Sequence, residues 1–202
     1  QKLDHFNPAD PNYFQQLYMI KSVFYKTGGP IFVMLGGEGP IDERFFAPKR
    51  DILFNAQKYG AMLYQLEHRY YGQTHPTPDA STANLRFLSS EQALEDAANF
   101  IQTMQAQNGF QSNKVIVFGG SYSGALANWF RLKYPHVADG AVGSSAPVWA
   151  TVDFYQYLEV VRNSLDMISP GCSSIVQTAF SQLDTMVQSN MVQSINATFN
   201  LC

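Results

Sequence analysis

Lys114–His136 reads KVIVFGGSYSGALANWFRLKYPH. Its first part, Val115–Phe118, is an unbroken apolar run of the kind that fills a strand buried on both faces. Gly119-Gly120-Ser121-Tyr122-Ser123-Gly124 follows. From Tyr122 to Lys133 the apolar residues recur at helical spacing, until Tyr134-Pro135 stops the pattern. The stretch predicts a strand, a sharp turn and a helix, with Ser121 at the turn.

Working outward, the same grammar repeats. Ile31–Leu35, IFVML, is a second buried run and ends in Gly36-Gly37-Glu38-Gly39-Pro40. Asp51–Tyr59 reads as a helix. Ala61–Leu66, AMLYQL, reads as a third buried strand and runs into Glu67-His68-Arg69-Tyr70-Tyr71-Gly72. Leu17–Tyr25 alternates loosely, as a half-buried strand does. Ser89-Ser90-Glu91-Gln92 offers a helix start, and Leu94, Ala97, Ala98, Ile101 and Met104 carry helical spacing after it. Gly140–Gly143 reads as a short last strand. Strands alternating with helices predict an α/β fold with a parallel sheet of about five strands. Near Trp149 the texture changes. Residues 153–201 hold no buried-strand run and read as two helices, Phe154–Leu165 and Cys172–Gln188, plus a fragment. The expected division is therefore 1–150 and 151–202.

A serine between a buried strand and a helix has the context of a nucleophile elbow. The turn lifts the hydroxyl to the carboxyl end of the sheet. The helix start then offers free N–H groups and partial positive charge to a developing oxyanion. Small neighbours suit a crowded, strained backbone. The usual G-x-S-x-G pattern has glycine where Ser123 stands, so Ser123 is the rival nucleophile within the motif. Two other readings stay open: a phosphate cradle, which lacks the lysine that normally follows such glycines, and a plain helix N-cap serine.

An elbow also needs a donor from the loop after an earlier strand. Gly36-Gly37-Glu38-Gly39 stands there, and the expected oxyanion pair is the N–H of Gly37 with the N–H of Tyr122. This chemistry requires neither metal nor cofactor.

The composition bounds what else the chain could be. At 202 residues and 46% hydrophobic, there is material for a core. The net charge of −3 comes with no basic stripe, which argues against a nucleic-acid partner. No apolar run nears the roughly 18 residues of a membrane span. The chain lacks an apolar leader, so it is expected to be mature or trimmed. Asn196-Ala197-Thr198 is a glycosylation sequon, and Cys172 and Cys202 alone define no disulfide framework.

The segments GGEGP, EHRYYG, LSSEQALEDAANFI, GGSYSGALANWFRLKYPH and SSAPVWA, with the opening QKLDHFNP, resemble the serine peptidase family of prolyl carboxypeptidase, dipeptidyl peptidase II and thymus-specific serine protease. The resemblance runs along nearly the whole chain and is strongest from Ile31 to Trp149. It implies an α/β-hydrolase fold with an inserted helical cap, here the N-terminal part of the hydrolase domain followed by the start of the cap. It implies secreted or lysosomal enzymes that cut peptides next to proline, and it gives Ser121 the role of nucleophile. His68, Arg69 and Tyr70 match the family as scaffold, with Glu67 a buried carboxylate nearby. The resemblance further implies a used sequon at Asn196, and disulfides from Cys172 and Cys202 to cysteines outside the chain. Geometry alone leaves a mutual bond open. A homodimer of the complete protein is compatible with it.

One part of the machinery is missing. In this fold the order is Ser, then Asp or Glu, then His. Only His136 follows Ser121, and it lies beyond the helix, roughly 20 Å away at about 1.5 Å per residue. His5, His68 and His75 precede the serine. The expectation is the nucleophile-bearing portion of a longer proline-directed serine exopeptidase, inactive alone. The alternatives are a non-catalytic binding protein on the same scaffold and a lipase or esterase.

Overall fold

The computed structural model describes residues 1–47 and 51–201. They divide into two compact units, Gln1–Trp149 and Ala150–Cys202.

The first unit is built on β1 (Tyr18–Lys21), β2 (Ile31–Leu35), β3 (Met62–Leu66), β4 (Val115–Gly120) and β5 (Gly140–Ser144). These form one sheet in the order β1-β3-β2-β4-β5. Crossovers are made by α1 (Asp51–Tyr59), α2 (Ser90–Asn108) and α3 (Tyr122–Lys133), with short 3₁₀ turns at Glu43–Phe46 and Leu85–Phe87. The pairs β2–β3, β2–β4 and β4–β5 are parallel, but β1 pairs antiparallel with β3. The sheet is thus mixed, which corrects the all-parallel expectation. The short connection from Lys21 to Ile31 feeds β2, not β3, so β1 is free to run against β3 along the outer edge. It is also shorter than the Leu17–Tyr25 run, because a turn closed by Tyr25 N–H donating to the Ser22 carbonyl ends it.

Alternate residues of the central strands face two cores. Ile31, Val33, Leu35, Tyr64, Val115 and Val117 pack under α2 and α3, against Leu94, Ile101, Leu126 and Phe130. Phe32 and Leu63 face the other way, onto Ile52 and Ala56 of α1. Ser89 caps α2 by accepting from the Gln92 N–H. This sandwich brings the carboxyl ends of β2, β3 and β4 to one edge of the sheet, where the loops after them carry the site.

A buried polar cluster ties these loops to the first residues of the chain. Arg69 is fully buried and all five of its N–H groups are used. Nε and Nη2 donate to the two oxygens of Asp96 at 2.7 and 2.8 Å, and the rest reach the carbonyls of Leu3, Phe87 and Lys2. His5 Nε2 lies 2.7 Å from Asp96 Oδ1. The guanidinium also stacks over Phe14, 5.2 Å from its centroid.

The second unit holds α4 (Gln156–Ile168), α5 (Cys172–Gln188) and α6 (Val192–Phe199). The sequence placed the first two correctly within three residues and left the third as a fragment. The turn between α4 and α5 is held by Asp166, which accepts from the Ser173 N–H and hydroxyl at 3.0 and 2.6 Å. Those bonds hold the Asp166 carboxyl below its usual range.

Candidate active site

Ser121 follows β4 directly and stands at the N-cap of α3 with φ 56° and ψ −129°. A non-glycine residue rarely adopts this backbone, and such strain concentrates at functional sites. Its N–H donates to the Ser144 carbonyl at 2.9 Å, and its carbonyl accepts from the N–H groups of Gly124 and Ala125. The backbone is thus held from both sides. The side chain is exposed and caps nothing; among the described residues its hydroxyl has no partner. The N-cap reading therefore does not describe what this serine does.

Ser123 is the opposite case. It is buried, and its Oγ accepts from the Gly120 N–H at 3.1 Å and donates to the Gly120 carbonyl at 2.9 Å. Its hydroxyl closes the elbow on itself, with its one hydrogen already donated to Gly120. Gly119 is required by space. A Cβ there would sit 1.9 Å from the Ser123 carbonyl oxygen, so any side chain would push the helix off the strand.

The loop after β2 comes up against this turn. A Cβ built on Gly37 would lie 3.6 Å from that of Ser123, in ordinary contact with the first turn of α3. Among the described residues neither the Gly37 N–H nor the Tyr122 N–H has an acceptor. The loop is anchored at its far end by Glu67, whose buried carboxylate accepts from the Ile41 N–H, the Gln73 N–H and the Thr74 hydroxyl. An open cleft of about 670 Å³ runs along the loop, lined by Met34, Gly37, Ile52, Phe118, Gly120 and Ser123. A smaller one of about 280 Å³ is lined by Glu38, His68, Tyr71, Ser90 and Tyr122. Gly120 lines the first and Tyr122 the second, and Ser121 lies between these two residues in the chain.

The family model described as serine carboxypeptidase S28 matches residues 1–202. The chain belongs to that family. A Caenorhabditis elegans relative, whose name marks it as a serine protease by inference, is 47% identical over 205 residues, with 100% of this chain and 40% of that protein covered. Mouse lysosomal Pro-X carboxypeptidase is 36% identical over 212 residues, covering 100% of this chain and 43% of that protein. The family chain thus spans well under half the length of these relatives. Its fold is that of the α/β-hydrolases: the structure of proline iminopeptidase from Mycobacterium smegmatis superposes with a TM-score of 0.58 over 89% of this chain and 55% of that one, at 14% identity.

None of the four histidines of this family chain is hydrogen-bonded to Ser121. His5 is held by Asp96. His136 is exposed beyond the end of α3, and His75 is exposed on the loop after β3. His68 is buried near the site, but Nδ1 lies 2.8 Å from the Arg69 carbonyl oxygen and Nε2 lies 3.1 Å from the Tyr122 hydroxyl. Burial lowers its pKa, outweighing the bond to Arg69 and the nearby Asp96, which act to raise it. Asn196 and Cys172 lie in the second unit, on α6 and at the start of α5; Asn196 is exposed. Cys202 lies outside the described residues. The sequence reading missed the roles of Ser123, Ser90 and Asp96. Asp96 carried a signal: a carboxylate next to the apolar stripe Leu94-Ala97-Ala98-Ile101 must find a partner when buried. Among the described residues there is no cluster of metal-ligating side chains, and no helix is long and apolar enough to cross a membrane.

Proposed function

We propose that this chain is the nucleophile-bearing part of a proline-directed serine exopeptidase. The observation that carries this reading is the free, exposed hydroxyl of Ser121 on a strained elbow beside the Gly37 loop. Ser121 Oγ attacks the substrate carbonyl carbon, its proton passes to the base and from there to the leaving amine, and the C–N bond breaks. The acyl-enzyme is then cleaved by water. The negative oxygen of each tetrahedral species is met by the N–H groups of Gly37 and Tyr122. The mouse relative's name, lysosomal Pro-X carboxypeptidase, supports proline at the cut and a place in the secretory pathway. The second unit is then the start of an inserted helical cap domain, and Cys172 and Cys202 pair with cysteines beyond residue 202.

The base and its orienting carboxylate come from the length that the relatives have and this chain does not cover. Residues 1–202 alone are expected to hydrolyse proline-containing reporter peptides no faster than their Ser121→Ala counterpart. An alcohol must lose its proton as it attacks, and no base here touches it. The assay is reporter turnover at acidic and neutral pH, with aryl esters alongside. Turnover well above the alanine control would place the base within these residues; esters turned over in preference to peptides by the full-length chain would replace peptidase by esterase.

The secretory placement has its own test. Asn196 is exposed on α6. Expressed through the secretory pathway of a eukaryotic cell, the chain should lose mass on N-glycosidase treatment, and Asn196→Gln should remove that shift. Equal masses before and after treatment would overturn the modification.

A further inference from the structure

Tyr122 is the residue whose N–H the proposed mechanism uses, and its side chain is held at the far end. The phenol oxygen lies 3.1 Å from His68 Nε2 and 3.0 Å from Ser90 Oγ. The two rings also touch, 5.6 Å between centroids at 53°. The direction of the hydrogen bonds follows from chemistry. His68 is 4% exposed, and burial favours its neutral form. A neutral imidazole has one N–H. The Arg69 carbonyl only accepts, so Nδ1 carries that hydrogen. Nε2 must then accept, so Tyr122 donates to it. The Tyr122 oxygen is left to accept from the Ser90 hydroxyl.

His68 also touches the other half of the proposed oxyanion site. A Cβ on Gly36 would lie 2.9 Å from the His68 nitrogen and 2.8 Å from the Leu66 carbonyl, which accepts from the Gly36 N–H. The backbone just before Gly37 is therefore seated on the backbone of His68. One residue meets the loop that carries one donor and the side chain of the residue that carries the other.

We propose that His68 is a positioning residue that sets the separation of the two oxyanion donors, acting through Gly36 on one side and, with Ser90, through the Tyr122 phenol on the other. This rests on the reading of Ser121 as nucleophile. His68 moves no proton of the reaction. Its function is to fix a backbone N–H, because donors aimed in advance at the developing charge do most of their work in the transition state.

The test uses the full-length chain containing this segment and measures three things. These are the rate at which a fluorophosphonate labels Ser121, kcat and KM on a proline-peptide reporter, and the melting temperature. Tyr122→Phe keeps the ring and removes both hydrogen bonds. It should slow labelling and kcat together by about tenfold, less than the roughly 10²–10³ for outright removal of a donor because the N–H is misaimed and not lost, and leave KM within about twofold. Ser90→Ala should show the same pattern, smaller. His68→Leu should match Tyr122→Phe, and the double variant should be no worse than either single one, since both cut the same link. Labelling at the unmodified rate in a folded Tyr122→Phe chain, an effect confined to KM, or additive losses in the double variant would overturn the inference alone. Absence of Ser121 labelling in the unmodified chain would overturn the nucleophile reading and this inference with it. If His68→Leu fails to fold, Tyr122→Phe and Ser90→Ala decide the matter.

Discussion

Ser121→Ala in the full-length chain is expected to lower peptide turnover by about a million-fold, the scale for deleting a serine nucleophile from a complete triad. Fluorophosphonate labelling should disappear with it. Binding of substrate should survive, because the clefts lined by Gly37 and by Tyr122 do not depend on the Ser121 side chain. The variant should also fold. The hydroxyl makes no hydrogen bond among the described residues, so its removal leaves no buried group unpaired. Ser123→Ala is the informative contrast. It should keep the labelling of Ser121 and lose stability, since the Gly120 N–H and carbonyl both lose their side-chain partner. A Ser121→Ala protein that is still labelled at Ser123, or that retains turnover within a hundredfold, would remove Ser121 from the mechanism.

Arg69→Met should destabilise the unit Gln1–Trp149 by about 3–5 kcal/mol, the cost of leaving one partner of a buried ion pair alone. Both carboxylate oxygens of Asp96 lose a charged donor, and Asp96 is 1% exposed, so water does not replace it readily. His5 is the remaining polar partner of that side chain. Against a typical domain stability of about 5–15 kcal/mol this is a large share. The companion double variant, Arg69→Met with Asp96→Leu, should cost less than the sum of the single changes, because no charge is left buried without its mate. Urea unfolding of the four proteins measures all three differences. A loss below about 1 kcal/mol for Arg69→Met would show that the cluster contributes position without stability.

The helices and central strands were legible because each is a local pattern. IFVML is buried on both sides and VIVF on one side with its other side half-buried, so both read as continuous apolar runs, and Tyr122–Lys133 carries its period within itself. The orientation of β1 was not legible. Nothing in YMIK says which neighbour it pairs with or in which direction; β3 decides that from far along the chain. In the site, Ser121 and the Gly37 loop could be read because glycines mark both turns. Ser121 reads as a better nucleophile than Ser123 because a glycine stands two residues before it and none two before Ser123; their different backbone angles and bonds carry no such local mark. The links from His68 to Tyr122 and from His5 to Asp96 join residues 54 and 91 positions apart, and no local pattern encodes such a pairing.

The buried cluster around Arg69 also sets an order of events during synthesis. The first fourteen residues leave the ribosome before any of their partners. Their anchors are Arg69, Gln92, Asp96 and Asn99. At about 5–20 residues per second, the opening segment waits several seconds or more, unstructured, until α2 has emerged. Residues 1–14 are therefore among the last parts of their unit to lock. During that interval, the hydrophobic side chain of Phe14, later stacked under the guanidinium, is open to chaperones and proteases alike.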